Sequence, residues 1–295
     1  MAEKRHKNDA MKDAYKIAQE LLKDRLKEVN PEALEEITST DGADVLVVQG
    51  QYDHIEQVLS MAGVPFKLIN PEDLSTIQLR PDQIVFINCP GNIDPVGLRK
   101  LERFVSSGGF LFTTDWALKH VLEKAFPGYV KFNQKSTADE VVRVEVLDVE
   151  DPFLKSILGP NDDPQWWLEG SSYPIEIVDG QKVHVLVSSR EIKEKYGDAP
   201  VFVTFDYGKG KIYHMISHFY LQRSETRTKR HKASAEAYLD EKNIPAPLRA
   251  KYKEMKIDES SLGEVESAYT SAAMIDKIMY DKKQYLKRQK NKDGK

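Results

Sequence analysis

Four short apolar runs, separated by amphipathic stretches and punctuated by glycine, constrain this chain more than anything else in it. Val45-Leu46-Val47-Val48 stops at Gln49-Gly50, Phe66-Lys67-Leu68-Ile69 follows, and Ile84-Val85-Phe86-Ile87 stops at Cys89-Pro90-Gly91. Phe110-Leu111-Phe112-Thr113-Thr114 is the fourth. Continuous β-branched runs of this length suit parallel strands buried on both faces. Between them, residues 52–62 place Ile55, Val58, Leu59 and Met61 on one helical face, and Gly63 closes the helix. Residues 95–106 do the same with Leu98, Leu101, Phe104 and Val105, closed by Gly108-Gly109. Asp115 opens a further helix that runs to about Lys124. The order β-α-β-β-α-β-α, with short connections, predicts an α/β fold with a doubly wound, mainly parallel, right-handed sheet.

Residues 126–220 read differently. Val142–Val146 alternates as a half-exposed strand does, and Asp151–Lys155 is a turn into a short helix. Val183–Val187 and Val201–Phe205 are strands, and Tyr207-Gly208-Lys209-Gly210 is a hairpin turn into Lys211–Ile216. This predicts an antiparallel extension that returns a last strand to the sheet. Before the core, residues 1–8 read as disordered. Residues 9–30 form an amphipathic helix, ended at Asn30-Pro31 because proline pushes its predecessor out of the α region. A short helix over 31–37 follows. After the core, helices are expected over 229–242, 247–255 and about 263–288. The last carries Val265, Ala268, Ala272, Ile275, Met279 and Leu286, a stripe too short and too alanine-rich for a coiled coil. The division expected is 1–40 as an N-terminal helical extension, 41–220 as the α/β domain, and 221–295 as a helical, basic C-terminal extension.

Charge and cysteine content exclude several classes. Of 295 residues, 31% are charged, and the net charge of −4 gives no sign of a dedicated nucleic-acid binder. The charge is uneven. Residues 221–295 hold 18 Lys/Arg against 12 Asp/Glu, so the acidic excess lies in the first 220. Such asymmetry points to a partner-facing segment. The lone cysteine, Cys89, rules out an internal disulfide and a cysteine-rich zinc site. No 18-residue apolar run exists, and the polar start Met1–Asn8 is no secretory signal, so a cytoplasmic location is expected.

In a wound sheet, ligands bind at the carboxyl ends of the strands. Those ends hold Gln49, Gly50 and Gln51, then Asn88, Cys89 and Gly91, then Asp115 and Trp116, and finally His218. These nine are the expected ligand cleft. Together with Tyr207–Ile212 and the Asp151–Leu154 turn, the order of these segments over about 44–220 resembles the class I glutamine amidotransferase-like superfamily. The ThuA-like and related non-amidotransferase branches are the nearest in flavour. The resemblance implies a flavodoxin-like fold. In catalytic members a strand-to-helix elbow presents a cysteine, a later histidine activates it, and an acid two positions on orients the histidine. Here Asp115 matches the elbow, His218 the histidine and Tyr220 the acid. A carboxylate cannot replace a thiolate in amide transfer, so the resemblance implies no glutaminase.

Each candidate has a simpler role beside the chemical one. Asp115 suits a helix N-cap, His218 a packed ring, and Cys89 a buried small hydrophobe. Trp166-Trp167-Leu168-Glu169-Gly170 reads as core packing rather than a sugar platform or lid. Arg223–Lys232 reads as a solvated or docking face, without the interleaved aromatics of a nucleic-acid site. No phosphate loop and no metal-ligand spacing is present, so neither a cofactor nor a metal is expected. The first functional expectation is a non-catalytic binding or scaffold subunit of a protein assembly. Its terminal helices would dock to a protein partner or a second copy, because their apolar stripes must be covered by something. The alternative is a ThuA-like hydrolase or carbohydrate-processing enzyme that uses Asp115 and His218.

Overall fold

The computed structural model describes residues 7–42, 44–147, 151–159, 162–219 and 225–293. Its centre is an eight-stranded sheet, with strands numbered in chain order. They are β1 (Val45–Val48), β2 (Lys67–Ile69), β3 (Ile84–Ile87), β4 (Phe110–Thr114), β7 (Glu145–Val146), β10 (His184–Ser188), β11 (Pro200–Tyr207) and β12 (Gly210–Met215). The spatial order is β2-β1-β3-β4-β12-β11-β10-β7. The first five strands are parallel, and β11, β10 and β7 complete the sheet antiparallel. This is the expected doubly wound, flavodoxin-like architecture, and β12 is the strand returned by the extension. Every residue of β1, β3 and β4 is buried, which is why their sequences carry no alternation.

Two small ladders stand outside the sheet: β5 (Val130–Phe132) with β9 (Ile175–Ile177), and β6 (Glu140–Arg143) with β8 (Gln165–Leu168). The expected single strand 142–146 is thus divided. Val144 interrupts it, donating its N–H to Pro164 O, and the chain passes from the β8 ladder to the β10 edge. Trp166 and Trp167 are buried in β8, where their indole N–H groups meet Ser217 Oγ and Glu225 O. That is the core packing the sequence suggested.

Helices α3 (Ile55–Ala62) and α4 (Pro95–Ser106) cross between parallel strands. Asp94 caps α4 by accepting from Val96 N–H and Gly97 N–H, with Pro95 in the first turn. The helix expected to open at Asp115 instead forms a π-helical turn over Leu118–Leu122 that continues into α5 (Glu123–Ala125). The helices α6 (Pro152–Ile157) and α7 (Arg190–Tyr196) flank the extension. Of the helix expected over 229–242, only α8 (Glu236–Glu241) forms, because Ser234 bridges to Ser261 and Ala235 N–H bonds Ser260 O. α9 (Ala246–Glu254) follows.

The two long terminal helices, α1 (Lys7–Val29) and α10 (Leu262–Asp293), pack on each other and on the rest of the chain. The short α2 (Pro31–Thr38) joins the same layer. Met11, Ala14, Ala18, Leu21 and Leu22 of the first stripe are buried, as are Val265, Ala268, Ala272, Ile275 and Met279 of the second. Their partners are therefore within the chain. α10 also reaches the amino end of the sheet, where Lys282 Nζ donates to Pro81 O at 2.6 Å and Gly108 O at 2.8 Å. The expectation of disorder for 1–8 concerns residues of which 1–6 lie outside the described ones. Among the described residues, no helix is long and apolar enough to cross a membrane.

One buried group in this helix layer makes stability depend on pH. Burial on α10 pushes the Asp276 carboxyl up from 3.8 to about 7, only partly offset by Lys23. The folded state therefore binds a proton that the unfolded state has already released between about pH 4 and 7. Stability falls as pH rises through that window. Asp276→Asn removes the effect. Its melting temperature is expected to match the wild type near pH 4 and to exceed it at pH 8. The gap amounts to a few kcal/mol, at about 1.4 kcal/mol per tenfold difference in proton affinity. Parallel melting curves across pH 4–8 would show that Asp276 is solvated if the two proteins never diverge.

Candidate functional site

At the carboxyl edge of the sheet, the ends of β1, β3, β4 and β12 bring Asp53, Cys89, Asp115 and His218 together. These residues are 1%, 1%, 3% and 4% exposed. Asp115 follows β4 directly, and its N–H bonds Met215 O on β12. Its φ is 43°, a left-handed conformation that a non-glycine residue adopts only when its surroundings hold it there. This turns the carboxylate away from the helix that follows. Oδ1 accepts the Tyr173 N–H at 2.9 Å, and Oδ2 accepts from the Ser172 hydroxyl at 3.2 Å. The N-cap role expected for Asp115 is therefore corrected. Its oxygens face across the strand ends, not down its own helix.

His218 lies between two carboxylates. Nε2 is 3.3 Å from Asp115 Oδ2, and Nδ1 is 3.0 Å from Glu169 Oε2. Cys89 Sγ stands 3.9 Å from the same Asp115 oxygen. Behind them, Asp53 accepts the Thr114 hydroxyl at 2.7 Å, while Thr114 Oγ1 accepts the Cys89 N–H at 3.1 Å. Burial alone would lower the proton affinity of His218. The Asp115 carboxylate, the field of Asp53, Cys89 and Glu169 overcome it and hold the imidazole well above its usual range. Burial raises Asp115 and Asp53 above the ordinary carboxyl range, and His218 opposes the rise in both. Burial also pushes the Cys89 thiol up, with His218 opposing and Asp115 adding to it. The cluster sets one imidazole among three carboxyl groups, those of Asp53, Asp115 and Glu169.

A segment after β8 covers the cluster. Glu169, Ser172 and Tyr173 come from it, and Trp116 Nε1 donates to Ser171 O at 2.7 Å. The Trp116 ring stacks on Tyr173 at 5.7 Å, Tyr173 stacks on Phe132 at 3.9 Å, and exposed Tyr52 meets Trp116 edge-on at 5.4 Å. The Glu169 side chain, 38% exposed, links the cluster to solvent.

The nine residues expected in the cleft divide accordingly. Cys89, Asp115 and His218 form the cluster, and Trp116 roofs it. Asn88 serves α3 instead: its Oδ1 accepts the Ile55 N–H and its Nδ2 donates to Glu56. Gly91 allows close packing, since a Cβ there would lie 2.9 Å from Val121. Gly50 fits beneath the Asn88-Cys89 backbone. Gln49 and Gln51 are exposed, and their amides bond Ile69 O and Cys89 O. Asp53 was missed, although an acid just past the end of β1 was signal enough. Ser172 and Tyr173 carry no signal, because only the tertiary path of the β8–β9 loop brings them in.

Part of the basic stretch is paired within the fold where it is described, while Lys229 and Lys232 are exposed. Arg227 pairs with Glu191, Arg230 with Glu241 and Glu266, and His231 Nε2 lies 2.8 Å from Asp163 O. Tyr220 and Arg223 lie outside the described residues.

No protein-family model and no curated protein matches the chain. Solved structures resemble it in part. A cytoplasmic protein from Salmonella typhimurium is 14% identical, covering 59% of this chain and 87% of its own, with a TM-score of 0.43. A putative ThuA-like protein from Bacteroides uniformis is 16% identical over 59% of this chain and 80% of its own, with a TM-score of 0.42. An exo-β-1,4-mannosidase from an Opitutaceae bacterium is 10% identical over 78% of this chain and 35% of its own, with a TM-score of 0.43. At these values the likenesses carry nothing about activity.

Proposed function

We propose that the chain is a hydrolase of the ThuA-like, carbohydrate-processing kind, with Asp115 and His218 as its working groups. One observation carries this reading. Asp115 Oδ2 and His218 Nε2 converge at 3.3 Å in a buried cluster, on a residue held at a strained φ of 43°. Backbone strain of this sort persists where the surroundings over-determine it, and it collects at functional sites. A small oxygen-bearing reactant, such as an attacking water, would lie within hydrogen-bond reach of both groups. The aromatic roof of Trp116, Tyr173 and Tyr52 offers the ring faces and edges on which the C–H face of a sugar rests. Glutamine amidotransfer is not supported. Its nucleophile would be Cys89, whose thiol burial keeps protonated, on β3 rather than at the β4 elbow.

A panel of chromogenic glycosides and sugar esters tests the proposal. At least one compound is expected to turn over, with Asp115→Asn and His218→Gln each slower by about 10²-fold or more. If wild-type protein turns over none and no sugar shifts its melting temperature, the hydrolase reading is wrong. A scaffold role would have to use surfaces other than the α1 and α10 stripes, which are buried within the chain.

A further inference from the structure

We propose that Cys89, Asp115 and His218 form a binding site for one borderline divalent cation, with zinc the natural occupant. The argument begins with the ligand atoms. Cys89 Sγ, an Asp115 carboxylate oxygen and a His218 ring nitrogen lie within 4.8 Å of one another, and all three residues are buried. Bond lengths of about 2.0–2.3 Å to zinc give tetrahedral edges of roughly 3.3–3.6 Å between ligand atoms. The oxygen–nitrogen edge is already 3.3 Å and the sulfur–oxygen edge 3.9 Å. The sulfur–nitrogen edge is bounded at 4.8 Å, so seating the ion draws the Cys89 sulfur inward by up to about 1 Å while the carboxylate and the imidazole stay nearly in place.

The surroundings fit the same assignment. A histidine that ligates a metal usually gives its other ring nitrogen to a carboxylate, which fixes the ring. Glu169 stands 3.0 Å from His218 Nδ1 in that position. The carboxylate is held in turn, because the Tyr173 N–H fixes Asp115 Oδ1 and leaves Oδ2 facing the sulfur and the imidazole. Charge points the same way. Buried Asp53 and Asp115, with half-exposed Glu169 beside them, surround a single imidazole, and a local acidic excess of this kind favours a bound cation. A mixed thiolate, imidazole and carboxylate set suits zinc rather than magnesium or calcium. Three protein ligands leave a fourth position for water or substrate, as in catalytic rather than structural zinc sites. The sequence gives no hint of this, because its metal signatures are local spacings and these ligands come from three separate strand ends.

The inference rests on reading the strand-end cluster as a working site, but binding can be tested apart from activity. Full-length protein stripped with a chelator is titrated with Zn²⁺ against a chromogenic competitor, and in parallel with Co²⁺ under an absorbance readout. One equivalent is expected to bind, with a thiolate-to-cobalt charge-transfer band in the near ultraviolet. Cys89→Ser is expected to abolish that band and weaken zinc binding by about 100-fold or more. Glu169→Gln is expected to keep the band and weaken binding by about 10- to 100-fold. Folded wild-type protein that takes up no stoichiometric zinc overturns the site. So does a cobalt adduct without the thiolate band, or affinity indifferent to Cys89→Ser. Zinc binding without turnover of any sugar sinks the hydrolase reading and leaves the metal site. Turnover without stoichiometric zinc does the reverse.

Discussion

Arg230→Ala is expected to cost about 3–5 kcal/mol of unfolding free energy, far more than a surface ion pair is worth. The reason lies in what Arg230 neutralises. Glu266, on α10, has a side chain with no exposure at all. Arg230 meets it with two parallel bonds of 2.8 Å, NH1 to Oε2 and NH2 to Oε1. The same Glu266 Oε1 accepts the Asp163 N–H at 2.9 Å, so the carboxylate also fixes the entry to β8. With the guanidinium removed, that single amide and His231, 3.7 Å away, remain to hold a buried anion. The paired change Arg230→Met with Glu266→Leu removes both charges and is expected to recover most of the loss. Urea unfolding of the single and double variants separates the two cases. A loss below about 1 kcal/mol in Arg230→Ala would mean that water reaches Glu266.

This ion pair also shows where sequence reading stopped. The run from Arg223 to Lys232 looks like a cationic face, because composition records charge and not what meets it. The partners Glu191, Glu241 and Glu266 come from three different helices. The terminal stripes have the same history. Val265, Ala268 and Ala272 declare a face to be buried, but not whether α1 or another chain buries it. The sheet was more legible. The β1, β3 and β4 runs have both faces covered, and that leaves a sequence signature without tertiary knowledge. The three-residue strands β5 and β9 are too short to leave one.

The candidate site was half legible for a related reason. Strand ends can be counted from sequence, which placed Asp115, Cys89 and His218 at one edge. The direction of a side chain cannot be counted. Aspartate after a strand and before a helix has the sequence of a cap, and only the φ of 43° shows the carboxylate turned the other way. Glu169 lies beside the Trp166-Trp167 pair that packs the core. Its role at His218 depends on the β6–β8 ladder delivering it to the strand ends.

Gly50→Ala is expected to destabilise the protein by about 3 kcal/mol, at the upper end of overpacking costs, and to break up the site in the same step. A Cβ on Gly50 would lie 2.4 Å from Cys89 O and 2.5 Å from Asn88 Cβ. Neither atom is the yielding end of a flexible side chain, so the Asn88-Cys89 backbone must move. That stretch is held on both sides. Cys89 O accepts the Gln51 N–H at 3.0 Å, and the Cys89 N–H donates to Thr114 Oγ1, whose hydroxyl donates to Asp53. Moving it carries the thiol away from Asp115 and His218. Gly63→Ala supplies the comparison. Gly63 has φ of 72° and nothing within 4 Å of its missing Cβ, so alanine there costs only the left-handed backbone, about 1 kcal/mol. For a chain of this size each kcal/mol shifts the melting temperature by roughly 2–4 °C. Gly50→Ala should therefore melt roughly 6–12 °C low, and Gly63→Ala no more than about 4 °C low. The expected mark of Gly50→Ala on the site is a Cys89 that alkylates faster than in wild type, because the thiol has left its cover. Equal melting temperatures in the two variants, or a Cys89 as protected as before, would show that β1 and β3 can part without cost and that Gly50 does not hold the thiol in place.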